Sequence, residues 1–175
     1  MRLQDFLQLD WVTDLFEVLD TKPDKLSWHI ADNRDVGTLI IQGEIFEVYL
    51  EPGEFGEFSY INVSFAKIIN GKPSEELVIT SKSGSKIMGA IIHSLDERLN
   101  RYETDAVIFI AIDNVEKRMS LYNRCIKFFK FIKPKDIIKN IKIKKGMVTI
   151  VIISNKLNNQ KQEFLLQINN LVNQK

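Results

Sequence analysis

Apolar and polar positions recur with two different periods along this chain, and the change of period marks out its elements. From Leu26 to Lys67 the apolar residues fall in short runs of strand character: LSWHI, TLIIQ, EIFEVYL and EFSYINVSF. Gly43 separates the second run from the third, and Pro52-Gly53 with Gly56 separates the third from the fourth, which predicts an antiparallel meander. Within the fourth run Phe58 and Tyr60 share one phase, while Ile61, Val63 and Phe65 share the other. A β-bulge or a strand buried on both faces produces such a switch. Asn70-Gly71-Lys72-Pro73 reads as a turn, followed by a short strand, EELVIT, and a loop from Ser81 to Ser85.

From Lys86 the period becomes helical. Ile87, Ile91, Leu95 and Leu99 fall at four-residue steps, with Met88 and Ile92 beside them. Asp105 to Ile112 is almost wholly apolar, as expected of a strand at the centre of a sheet covered on both sides. A second helix is predicted from about Glu116 to Ile132, with Leu121, Tyr122, Cys125, Phe128, Phe129 and Ile132 on one broad face. Then IKIKK and MVTIVIIS read as two strands joined at Gly146, and residues 160–173 as a closing amphipathic helix that turns Phe164, Leu165, Ile168, Leu171 and Val172 inward. At the other end, Asp10 or Thr13 is placed to cap a helix over residues 11–19 with Trp11, Leu15, Val18 and Leu19 as its apolar stripe. The expectation is one α/β domain over residues 1–175, a sandwich of a mixed, mostly antiparallel sheet with helices on both faces, and a core at about 44–153.

Composition narrows the classes. The single cysteine, Cys125, excludes an internal disulfide and sits among apolar residues at helical spacing, which reads as core. No run is long enough to cross a bilayer, so no membrane partner is expected and a cytoplasmic location follows. His29 and His93 have no second ligand at metal spacing, so no metal is expected. The net charge of +1 conceals an asymmetry: residues 1–100 hold 9 Lys/Arg and 17 Asp/Glu, and residues 101–175 hold 15 and 6. In KFFKFIKPKDIIKNIKIKKG lysines interleave with aromatics, a pattern that suits nucleic acid. The alternative reading, an apolar helix face followed by the solvent side of a strand, is preferred, and nucleic acid is not an expected partner.

The run from Ser83 to Phe129 carries the pointer to chemistry. A loop with one glycine, an amphipathic helix, a buried strand and a helix bearing Leu121-Tyr122 follow in an order that resembles the core of the GNAT superfamily of acyl-CoA N-acyltransferases. In that family a Q/R-x-x-G-x-G/A loop opens a long helix, and its amides bind the pyrophosphate of coenzyme A at the positive end of the helix dipole. The matching run here is Ile79-Thr80-Ser81-Lys82-Ser83-Gly84, continued by Ser85 and Lys86. Gly84 holds the last glycine position, whereas Lys82 replaces the first glycine and Ile79 the Gln/Arg. A lysine there would either crowd the pyrophosphate or pair with it. The resemblance further implies that Asn114 closes the strand and that Tyr122 is the general acid that protonates the departing thiolate. The step from Asn114 to Tyr122 is one residue longer than the usual pattern. The bland reading of Tyr122 is a core ring with its hydroxyl at the rim.

The run KRMSLYNRCIKFF is also similar to a group of bacteriophage-encoded proteins with GNAT-like cores, in which Arg-x-x-Leu-Tyr-x-Arg recurs; Arg118 and Arg124 match its arginines. That similarity adds a virion as a second expected location. Two functions are therefore expected in competition. The first is transfer of an acetyl group from acetyl-CoA to an amine or protein substrate drawn in by Glu44, Glu47, Glu51, Glu54 and Glu57. The second is an inactive GNAT-fold module that binds or assembles with a protein partner, in a phage particle or against a host factor. They differ in whether the sheet leaves a slot for pantetheine beside the Ser81–Ser85 loop or fills it with side chains.

Overall fold

The computed structural model describes residues 26–41, 43–74, 84–112, 114–143 and 146–174. The expected helix at 11–19 and strand EELVIT lie outside these residues. Within them, strands β1 (Ser27–Ala31), β2 (Arg34–Ile41), β3 (Glu44–Phe55), β4 (Phe58–Ile69) and β5 (Lys72–Ser74) come first. Helix α1 (Gly84–Leu99), strand β6 (Ala106–Ala111) and helix α2 (Val115–Lys127) follow. Strands β7 (Asp136–Ile143) and β8 (Gly146–Ile152) and helices α3 (Asn155–Asn159) and α4 (Lys161–Gln174) complete the order. The protein is α/β, with one mixed sheet in the order β1-β2-β3-β4-β6-β8-β7 and β5 attached to β4. Every pairing is antiparallel except β4 with β6.

The two apolar phases of β4 have a simple origin. Its register with β3 runs without a shift from Phe58↔Phe55 to Ile68↔Ile45, so there is no bulge. Instead the strand is buried on both faces. Ile61, Val63 and Phe65 pack with residues of α1 and α2, including Ile91, Leu95, Met119 and Tyr122. Phe58 packs on the opposite face with Leu157 of α3 and Phe164 and Ile168 of α4. Strand β6 divides in the same way, with Val107, Phe109 and Ala111 on the first face and Ala106 and Ile108 on the second.

Three boundaries differ from expectation. Strand β3 continues through Pro52 and Gly53 to Phe55, and the turn falls at Gly56 and Glu57. Proline is tolerated because Pro52 lies beyond Leu50, the last β3 residue paired with β2, so its missing N–H costs no ladder bond there. Gly53 is required by its cross-strand neighbour: the Tyr60 ring lies over it, stacked on Phe55 at 4.6 Å between centroids, where a Cβ would intrude. A bulge does occur, in β7 between Ile138 and Ile141.

The third difference is α2, which stops at Lys127, five residues short of the expected end. The cause is a carboxylate on α1. Asp96 is only 2% exposed and accepts the backbone N–H groups of Lys130, of Phe131 at 2.7 Å and of Ile132 at 3.1 Å. Those amides are taken out of any continuing helix, and residues 128–135 become a loop that leads into β7.

Two further contacts fix the centre of the sheet. A Cβ on Gly146 would fall inside the radius of the Ala111 carbonyl oxygen, so β8 approaches the end of β6 more closely than any side chain permits. At the other end of β6, Asp105 accepts the Ser59 N–H at 2.9 Å through its carboxylate, and its carbonyl accepts the N–H groups of Ile153 and Ser154. One residue thereby joins the ends of β4, β6 and β8.

Two predictions follow from these contacts. Gly146→Ala is expected to destabilise the protein by about 3 kcal/mol, since backbone must move to admit the methyl group; urea unfolding followed by circular dichroism measures it. Burial acts to raise the Asp105 carboxyl, but hydrogen bonds from Ser59 and Ser154 and the charge of Lys156 outweigh it and hold the group below its usual range. The unfolded chain then binds the extra proton, so this contribution is full above about pH 4 and is lost as pH falls through the lowered native value. Asp105→Asn should flatten the decline of the urea midpoint between pH 5 and pH 2.5; an unchanged decline would exclude this carboxylate as a source of it.

Candidate functional site

The residues singled out by the family resemblance fall in three places. Ile79, Ser81, Lys82 and Ser83 lie outside the described residues. Gly84, Ser85 and Lys86 form the first turn of α1, two residues earlier than the sequence periodicity suggests, and that turn contains no acidic residue. Its N–H groups and dipole therefore meet no competing carboxylate from that turn. Asn114 stands at the N-cap of α2 in the left-handed conformation, with φ 48° and ψ 42°, and its carbonyl accepts the Arg118 N–H at 3.0 Å. Its side chain makes no capping bond. Asparagine tolerates this backbone conformation better than most residues, which gives it a structural reason to be there.

Tyr122 sits where β4 and β6 part. These strands pair only from Tyr60↔Ala106 to Val63↔Phe109, although β4 runs on to Ile69 and β6 to Ala111. Strand β5 takes up the same edge of β4 again at Lys67. The intervening stretch, 64–66, has no strand beside it on that edge among the described residues. Side chains from α2 reach this stretch. Arg118 donates from Nη1 to the Phe65 carbonyl at 3.4 Å, a long bond that supplies a donor where β6 has left. The Tyr122 ring packs between Phe65 and Phe109, at centroid distances of 5.6 and 5.2 Å.

The environment of the Tyr122 hydroxyl is apolar. The residue is 0% exposed, and no hydrogen bond of ordinary geometry reaches the oxygen. Burial pushes the phenol above its usual range, and the Arg118 guanidinium acts in the opposite direction without cancelling the effect. Such a phenol holds its proton tightly. One turn along, Cys125 is also fully buried, its thiol pushed up to about 12 by burial.

Four of the five acidic residues singled out are already engaged, and Glu54 is exposed. Glu44 pairs with Lys67, Glu47 accepts the Tyr49 hydroxyl, Glu51 meets Arg34 at 3.3 Å and Asn62 at 3.0 Å, and Glu57 meets Lys156 at 3.2 Å. These pairs knit β2, β3, β4 and α3 together. Sequence reasoning missed a second polar centre at the far end of α1. Asp35 of β2, nearly buried, accepts Arg98 at 2.7 Å and the Tyr102 hydroxyl, beside a concavity of about 440 Å³ lined in part by Arg34, Arg98, Arg101 and Tyr102. Burial and then the Asp35 bond push the Tyr102 phenol up to about 12. The signal available in the sequence was an acid in an otherwise apolar strand phase. Among the described residues no three His, Cys, Asp or Glu side chains converge as metal ligands, and no helix is long and apolar enough to cross a membrane.

The packing of Tyr122 generates a paired expectation. Tyr122→Phe removes an oxygen that lacks a partner and should leave stability unchanged or raise it by about 1 kcal/mol. Tyr122→Ala should cost about 4 kcal/mol through the cavity left between Phe65 and Phe109. Thermal melts of the two variants check both; a Phe variant as unstable as the Ala variant would show that the hydroxyl, not the ring, is what the core holds. Comparison of the chain with protein-family models, with curated proteins and with solved structures finds no match in any of the three.

Proposed function

We propose that this protein is a GNAT-like three-layer shell that binds or assembles with a protein partner and does not transfer acyl groups. The observation that carries the reading is the burial of Tyr122, which is wholly enclosed where β4 and β6 part, with Arg118 on the Phe65 carbonyl. An acyl-CoA arm needs an open slot at that place, and a general acid needs access to the leaving sulfur. A wholly buried Tyr122 does not suit that role. Lys82 and Ile79 in place of the family's glycine and Gln/Arg weigh in the same direction. The Arg118–Arg124 run supports a likeness to the phage-encoded group, and with it a role in a particle or against a host factor.

The acetyltransferase reading retains two supports. The parallel pair β4 and β6 parts after four residues, and α1 opens at Gly84 without an acid in its first turn. In that reading Gly84, Ser85 and Lys86 would hold the pyrophosphate and Asn114 would close the strand. The coenzyme would supply the activated acyl group.

Isothermal titration calorimetry with acetyl-CoA, with adenosine diphosphate and desulfo-CoA as controls, separates the two. No heat of binding up to millimolar concentration is expected. Micromolar binding abolished by Gly84→Asp would overturn the proposal and revive the acetyltransferase.

A further inference from the structure

The stretch from the end of α2 to the end of β7 is the most one-sidedly charged surface of the molecule. Lys127, Lys130, Lys133, Lys135, Lys139 and Lys142 are all exposed, and none of the six side chains has an ion-pair partner among the described residues. The one carboxylate between Lys127 and Lys142, Asp136, is taken by Lys161. Elsewhere Arg34, Lys67, Arg98, Arg101, Lys156 and Lys161 each face an acid, and the exposed Lys72 and Lys117 stand apart from the strip. The basic excess of residues 101–175 is therefore concentrated on one strip and left unneutralised.

Protection of a sheet edge accounts for part of this strip. Strand β7 ends the strand order, and lysines at Lys139 and Lys142 discourage another chain from pairing with it. That explanation stops at the strand. Lys127, Lys130, Lys133 and Lys135 lie outside it, and among them Phe131 is 45% exposed, where the expected helix would have continued. The ring is held outward because its own N–H and those of its two neighbours are bound to Asp96. His93 of α1 lies beside it, at 6.2 Å between ring centroids. A rigid backbone thus presents an aromatic face flanked by unpaired ammonium groups, the combination that receives a stacked base and its phosphates.

We propose that the strip Lys127–Lys142 binds single-stranded nucleic acid, with Phe131 stacking on a base and the lysines contacting phosphates. This goes beyond the reading of the GNAT-like shell and stands without it. The edge strand, bent at its bulge, adds a track of at most about 26 Å at 3.3 Å per residue, along which a flexible strand can lie and a stiff duplex cannot bring its bases to Phe131.

Fluorescence anisotropy of the full chain with labelled single-stranded dT12 and U12, and with a 12-base-pair duplex, tests the proposal. Binding to a single strand is expected at 50 mM salt, tighter than to the duplex, with an affinity that falls as salt rises. The triple variant Lys130→Gln, Lys133→Gln, Lys135→Gln should bind at least tenfold more weakly and lower the slope of log K against log salt by about 2, at about 0.7 per lost phosphate contact. Phe131→Ala should weaken single-strand binding at least about fivefold and leave duplex binding unchanged. Lys117→Gln, in the exposed first turn of α2, should bind as the parent does, and equal melting temperatures certify that every variant is folded. Absence of binding at 50 mM salt, a triple variant that binds like the parent, or an unchanged Phe131→Ala would overturn the proposal. Displacement by polyglutamate at equal charge concentration would overturn it too, in favour of an acidic protein partner.

Discussion

The carboxylate of Asp96 sets the course of the second half of this chain. It is borne by α1 and shielded from water, and it accepts three consecutive-residue amides of a segment more than thirty positions away. A buried carboxylate is tolerable only when its charge is met by several donors, and backbone N–H groups satisfy it without a counter-ion. The arrangement fixes where α2 ends, which way residues 128–135 turn and where β7 enters the sheet. Ser94 and Arg98, one step either side on the same helix, bind the Leu26 amide and Asp35. Helix α1 is thus the fastener between the first strands and the last ones, and its polar side chains matter to the topology as much as its apolar face.

The early parting of β4 and β6 is the point on which the proposed function turns. A parallel pair that parts early leaves backbone groups without a ladder partner. One answer is a ligand that completes the ladder, and another is a side chain that does so permanently. Among the described residues Arg118 gives the second answer at one position, on the Phe65 carbonyl, with the Tyr122 ring packed against Phe65.

Much of the fold was legible because burial imposes a period. The four strands of the meander, the helical phase from Ile87 to Leu99 and the apolar strand before Asn114 follow from positions that must face a core. What escaped depended on single long-range contacts. Nothing near Phe129 in the chain announces that Asp96 will end the helix, and a proline and glycine at 52 and 53 look like a turn until the end of β2 and the Tyr60 ring are in view. The candidate site was legible only as an order of motifs. The burial of Tyr122 depends on how early β4 and β6 separate, which is a property of register and leaves no periodic trace. Asp35 was hidden for the same reason, since its partners Arg98 and Tyr102 lie more than sixty residues away.

The position of Cys125 gives the molecule a built-in gauge. It is the sole thiol of the chain, it lies beneath α2 against the sheet, and its proton is held far above neutrality. In the native state it is invisible to oxidants and alkylating agents, whose chemistry requires a thiolate in contact with solvent. Its rate of modification therefore reports how much of the time α2 stands lifted from β6 and β8, so that one slow chemical reaction records the open fraction of that layer of the core.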